Sequence, residues 1–243
     1  MRPELHAVKD SKSEAQSGRD TTRPQSLIKI YQALKNKYRN YDTKHALKRM
    51  QAFRRSAQEL GSKGFPLAFE LLGSINFGLV EPYSDADVII LHYCDLHLSD
   101  GECMPSCPNL LFEKEELVKS LRRQLNEEMC RIEILDCINM KYVERCLQTG
   151  ELSGNSIIYR FMFYRNMGRP VNRPLYIEYY EALEKNASLV AEFELWASLA
   201  LKAYLKTSDH RYSFSKYNER ILNQRIALPE GLREELRRYL EDA

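Results

Sequence analysis

Residues 71–91, LLGSINFGLVEPYSDADVIIL, decide the reading of the chain. An apolar run from Leu67 to Leu72 stops at Gly73-Ser74, a short loop follows, and Ser84-Asp85-Ala86-Asp87 opens the β-branched run Val88-Ile89-Ile90-Leu91. The pattern predicts strand, glycine turn, loop, strand. Asp85 and Asp87 stand two apart, so on a strand their carboxylates project to the same face. At about 4 Å such a pair repels by roughly 4 kcal/mol at an effective dielectric near 20, a penalty that a divalent cation removes. Mg²⁺ takes oxygen ligands and is commonly shared between carboxylates and substrate phosphates. A glycine at the strand end lets backbone approach a phosphate, and Ser74 can add a hydroxyl contact. The combination points to phosphoryl or nucleotidyl transfer. Short acidic pairs alone are common, but the six fixed positions of G-S-x3-G-x5-S-D-x-D arise by chance in roughly one chain of this length in 10⁵.

Gly73, Ser74, Gly78, Ser84, Asp85 and Asp87 resemble, in order and spacing, the motif of the nucleotidyltransferase superfamily typified by DNA polymerase β. The resemblance implies that Gly73, Ser74 and Ser84 bind the nucleotide and that Asp85 and Asp87 bind two Mg²⁺ ions, with an NTP, taken as ATP, as donor. Ile75 and Asn76 stand where many minimal bacterial members carry Arg after Gly-Ser. The spelling with Leu79 and Pro82 is similar instead to terminal uridylyl and non-classical poly(A) polymerases.

The family also places a third acidic residue on a later strand between hydrophobics. Residues 130–138, CRIEILDCI, offer Glu133 and Asp136. Three apart on a regular strand, they are expected on opposite faces, so that only one joins the site. The run from Arg131 to Arg160 looks like the segment of minimal nucleotidyltransferases in which a strand leads into a helix and a glycine turn, and that alignment assigns Glu133 as the third carboxylate and catalytic metal ligand.

The expected fold class is α+β, a mixed β-sheet nucleotidyltransferase core with helices on one side, flanked by N-terminal and C-terminal helices. Residues 1–25 are polar and lack aromatics, which predicts a disordered tail. Residues 26–62 read as two basic helices, the first capped by Ser26 and the second starting after Asp42-Thr43, with Ala46, Leu47, Met50, Phe53 and Leu60 as its apolar stripe. Lys29, Lys35, Lys37, Arg39, Lys44, Lys48, Arg49, Arg54 and Arg55 are assigned to their polar faces, a surface suited to solvation or to phosphate. The core is expected over 63–168, with a helix from Glu113 to Met129 returning the chain to the second acidic strand. Residues 169–243 read as helical, a lid, an acceptor-binding unit or a homo-oligomer surface, with the last helix starting near Pro229.

Arg160, Arg165, Arg169 and Arg173 run among aromatics, a mixture that serves base stacking or, by the preferred reading, a packed core with charges outside. No secretory or membrane-spanning run is seen, so the expected compartment is cytoplasmic, with no membrane partner. The six cysteines are accordingly read as reduced thiols. His92, Cys94, His97, Cys103 and Cys107 crowd residues 92–108, HYCDLHLSDGECMPSCP, but their spacing fits no standard zinc pattern, and a loop of buried or free thiols is the preferred reading.

The expected activity is therefore Mg²⁺-dependent transfer of a nucleoside monophosphate, AMP first, from an NTP to a protein side chain or small molecule. The alternatives are transfer to an RNA 3′ end, or a catalytically inactive protein that binds nucleotide for regulation.

Overall fold

The computed structural model describes residues 27–205, apart from 79, 104–106 and 126–129. The expected tail, the Ser26 cap and the helix near Pro229 lie outside the described residues. Four strands, β1 (Ala68–Leu72), β2 (Ala86–His92), β3 (Ile132–Asn139) and β4 (Arg169–Val171), form one sheet in the order β3-β2-β1-β4. β1 runs antiparallel to β2 and β4, whereas β2 and β3 are parallel, so the sheet is mixed and the class is α+β, as expected. β4 comes from the start of the segment expected to be helical.

The helices are α1 (Leu27–Tyr38), α2 (Lys44–Ser62), the four-residue α3 (Gly73–Asn76), α4 (Pro108–Leu125), α5 (Met140–Thr149), α6 (Ser156–Met167), α7 (Ile177–Glu184) and α8 (Ala187–Leu205). A parallel pair needs a long crossover, and α4 supplies it between β2 and β3.

The expectation of helices on one side is corrected: both faces of the sheet are covered. Phe69, Leu71, Val88 and Ile90 pack with Phe53 and Leu60 of α2 and with Leu117 and Leu121 of α4. Ala68, Ile89, Leu91 and Ile138 pack on the other face with residues of α1 and of α5 to α8. The physical reason is in the strands themselves. β2 is apolar at successive positions from Val88 to Leu91, and a strand apolar on both faces must be covered on both.

α2 starts where Thr43 Oγ1 accepts the Ala46 amide at 3.1 Å. Its inward stripe differs from the expected one at two neighbouring positions. Leu47 is 57% exposed, while Arg49 is fully buried. Leu47 lies about 100° round the helix from Ala46, off the stripe, and Arg49 lies one residue short of Met50, on its edge. Lys35 is buried too, and its Nζ donates to the carbonyls of Asn166 at 2.7 Å and Gly168 at 3.0 Å. Three of the cations assigned to the basic surface, Lys35, Arg39 and Arg49, thus serve the interior. Among the described residues no helix is long and apolar enough to cross a membrane.

Candidate catalytic and metal site

The turn after β1 is shaped by glycine. Gly73 has φ +63°, and a Cβ built on it would lie 2.1 Å from Asp87 Oδ2. The same arrangement recurs at Gly78, φ +74°, where a Cβ would lie 2.2 Å from Asp42 Oδ1. Both glycines therefore serve left-handed backbone and the close approach of an aspartate. Asp42 is in turn gripped by Arg169, whose Nη1 donates to Oδ1 at 2.8 Å and to the Ile75 carbonyl at 3.1 Å. Asn76, fully buried, donates to the Met167 carbonyl at 2.6 Å and accepts from Arg39 Nη2 at 3.0 Å. Ser74 follows Gly73 in α3 and is half-buried.

Arg49 holds the loop that delivers the aspartates. Its guanidinium donates to the carbonyls of Ser84 at 2.5 Å, Pro82 at 3.0 Å and Glu81 at 3.2 Å. Ser84, expected to bind nucleotide, closes this turn: its Oγ accepts the Glu81 amide at 3.0 Å. Arg49 was legible only as one cation among many, because nothing local distinguishes it from the exposed ones.

Asp87 sits at the second position of β2, opposite Leu72 on β1 and Glu133 on β3. Neighbouring strands lie about 4.8 Å apart, so Asp87 and Glu133 stand side by side on one face. Asp85 precedes the strand and is exposed. Burial, then the charges of Glu133 and Asp85, raise the pKa of Asp87 above the ordinary carboxylate value. The oxygens of Asp85, Asp87 and Glu133 do not all lie within 4.8 Å of one another. Glu133 turns instead to Arg131, whose Nη1 is 2.9 Å from Oε1.

Asp136 is not on the opposite face. Between Val88↔Ile134 and Ile89↔Asp136 the β2–β3 register slips by one, and Leu135, 54% exposed, is the extra residue. This bulge restores the parity that a spacing of three would break, so Glu133 and Asp136 share the face of Asp87 and Ile89. Their surroundings separate them. Asp136 receives Arg160 Nε at 2.9 Å and Nη2, the Tyr164 hydroxyl at 2.6 Å and the Cys137 amide at 2.8 Å. Glu70, also on this face, is paired with Arg165 at 2.9 Å. Burial pushes its pKa up to about 7 against the pull of Arg165.

The sheet face thus carries carboxylates of two kinds. Those under α6 are paired with its arginines, so Arg160 and Arg165, expected outside a packed core, turn inward onto the sheet because buried acids there need a countercharge. Among the described residues no cation forms an ion pair with Asp85 or Asp87, and the only one on Glu133 comes from exposed Arg131. The donor set is all oxygen and partly open, the type that a hard divalent cation takes, but its three carboxylates are not gathered around one point.

Beside the acids lies a cavity of about 350 Å³. Its walls include Leu72 and Ile89, which adjoin Asp87 across and along the sheet, and the aromatic rings of Tyr31, Phe163, Tyr164 and Trp196. A larger cleft of about 730 Å³, lined by Tyr93, Phe112 and Lys141, opens near the far end of β2 and belongs to a different part of the surface. No family model, no curated protein and no solved structure matches the chain.

Proposed function

We propose that this chain is a Mg²⁺-dependent nucleotidyltransferase that moves the nucleoside monophosphate of an NTP, ATP first, onto a protein side chain or small molecule and releases pyrophosphate. One observation carries the reading: a glycine turn gives up its Cβ space to Asp87, whose strand neighbours are Glu133 on one side and Leu72, part of the wall of an aromatic cavity, on the other. A purely structural aspartate in such a place would be capped or ion-paired, as Asp136 is.

In this proposal Asp85 and Asp87 hold both ions and Glu133 completes one of the two sites. Mg²⁺ held there would supply electrostatic stabilisation of the charge that builds up during an in-line displacement. Gly73 and Ser74 seat the terminal phosphates, and the cavity takes the nucleoside between its rings. As the acceptor oxygen bonds to the α-phosphorus and the bond to pyrophosphate breaks, Glu133 takes the acceptor proton. Inward-turned Lys35, Arg39 and Arg49 reduce the cationic face that an RNA acceptor would use, which favours the small-molecule or protein acceptor.

The test is incubation with each α-³²P-labelled NTP and Mg²⁺ in the presence of lysate proteins, small molecules or RNA. Label transfer with pyrophosphate release supports the proposal, and the labelled species identifies the acceptor. Nucleotide binding without either would make the chain a nucleotide sensor, and no Mg²⁺-dependent binding would refute both readings.

A further inference from the structure

The long connection from β2 to α4 folds three of its cysteines into one place. The sulfur atoms of Cys94, Cys103 and Cys107 all lie within 4.8 Å of one another, and all three residues are buried. Cys94 and Cys107 are free thiols with their sulfurs 3.6 Å apart. Two sulfurs of a tetrahedral zinc site, each about 2.3 Å from the metal, stand roughly 3.8 Å apart. The observed separation is close to that edge and far beyond the roughly 2.05 Å of a disulfide.

A fourth thiol lies next to them. Cys137 on β3 is buried, and its sulfur interacts with Cys103 and with His92. His92, fully buried, has Nδ1 2.6 Å from Glu113 Oε2, yet neither imidazole nitrogen has a hydrogen bond of ordinary geometry. A carboxylate behind an imidazole is a common outer partner of metal ligands. A polar donor also points at sulfur: Asn109 Nδ2 is 3.8 Å from Cys94 Sγ. Ordinary buried cysteines behave as small hydrophobes and do not need such a donor.

We propose that Cys94, Cys103, Cys107 and Cys137 bind a structural Zn²⁺ ion as thiolates, with Glu113-His92 supporting the Cys137 side. The first three ligands are already gathered, and Cys137 closes the site by turning its sulfur from the Cys103 carbonyl, 3.5 Å away, toward the other three. Four protons are released as the thiols become thiolates, and no electron transfer is involved. The loop spacing obscured the site because the fourth ligand comes from β3, 30 residues beyond Cys107 in the sequence. The ion would tie the end of β2 and the start of α4 to β3, fixing a loop that already hangs from Asn139, whose side chain bonds Cys94 N at 3.1 Å, Cys94 O at 3.0 Å and His97 O at 3.0 Å. This inference does not depend on nucleotidyl transfer.

The test uses full-length protein expressed with zinc and purified without chelator. Elemental analysis should find one equivalent of zinc, and replacement by Co²⁺ should give an intense thiolate charge-transfer band with tetrahedral d–d bands in the red. Cys103→Ser and Cys107→Ser should lose the metal, while Cys130→Ser and Cys146→Ser should retain it. Cys137→Ser should weaken binding and alter the cobalt spectrum; an unchanged spectrum would overturn Cys137 as fourth ligand. Should a ligand variant fail to fold, the wild-type protein still decides. Absence of zinc together with absence of a cobalt-thiolate band, or a Cys94–Cys107 disulfide in non-reducing mass spectrometry, would overturn the proposal.

Discussion

Gly73 and Asp87 share a space that only one of them can fill: a Cβ on the glycine would lie 2.1 Å from the carboxylate Oδ2. Gly73→Ala should therefore destabilise the fold by about 2 to 5 kcal/mol, combining left-handed backbone strain with overpacking. Shortening the acid removes the second contribution. The double variant Gly73→Ala/Asp87→Ala should be more stable than additivity allows, by about 0.5 to 3 kcal/mol. Urea unfolding of the four proteins measures that coupling, and strict additivity would show that the two side chains do not meet.

Asp87 is held against electrostatic preference, since burial, Glu133 and Asp85 all raise its pKa. Asp87→Asn should accordingly leave thermal stability equal or higher while lowering nucleotidyl transfer by roughly 10²- to 10³-fold or more, the scale seen when a charge-stabilising group is removed from a transition state. Parallel melting and transfer assays test both halves. A variant that unfolds more readily would mark Asp87 as a structural acid.

Trp196 is the sole tryptophan and forms part of the cavity wall, in edge contact with Phe163 at a centroid distance of 5.7 Å. Titration with MgATP should change its fluorescence saturably, and the change should weaken when Mg²⁺ is withheld or Asp87→Asn is used. An unaltered spectrum in fully folded protein would argue against a nucleoside in this cavity.

Arg49 concentrates the stability of the motif loop in one guanidinium. Arg49→Met fills the volume but leaves the carbonyls of Glu81, Pro82 and Ser84 without this donor, at about 1 to 3 kcal/mol for each that water does not reach. Hydrogen exchange should show faster opening across residues 81–87 than elsewhere in the sheet. Uniform protection in the variant would assign Arg49 a packing role alone.

Glu59 gives the pH dependence a definite sign. Hydrogen bonds from Ser120, at 2.7 Å, and Lys63, at 2.9 Å, with the help of Arg123, lower its pKa to about 2. A depressed carboxylate adds stability above its unfolded value of 4.5 and loses it as the pH falls through the folded value. The wild-type advantage over Glu59→Gln should be full near neutrality and shrink from about pH 4.5 toward pH 2. Solvent screening keeps it at or below about 1 kcal/mol. Chemical denaturation across that range measures it; a constant difference would show that the contacts do not discriminate the charged form.

The strand, glycine turn and second strand were legible because short apolar runs and glycine placement are local properties, and so was the start of α2 after Asp42-Thr43. The two aspartates and Glu133 were legible as types at spacings. Coverage of both sheet faces was present in the run Val88 to Leu91, but the order of strands and helices was read as placing the helices on one side.

Other features depended on partners distant in sequence. The β3 bulge, which places Asp136 with Glu133, arises from pairing with β2 and has no local marker such as glycine. Lys35, Arg39 and Arg49 look like the exposed cations beside them, and only the surrounding carbonyls make them interior residues. Cys137 comes beside Cys103, its sulfur 3.5 Å from that residue's carbonyl, across 34 residues of chain. The sequence by itself determined which residues carry acid, thiol and cation, and where the chain turns. Which acids are neutralised, which cations turn inward and which thiols meet was decided by the tertiary structure, because burial and charge pairing depend on distance in space.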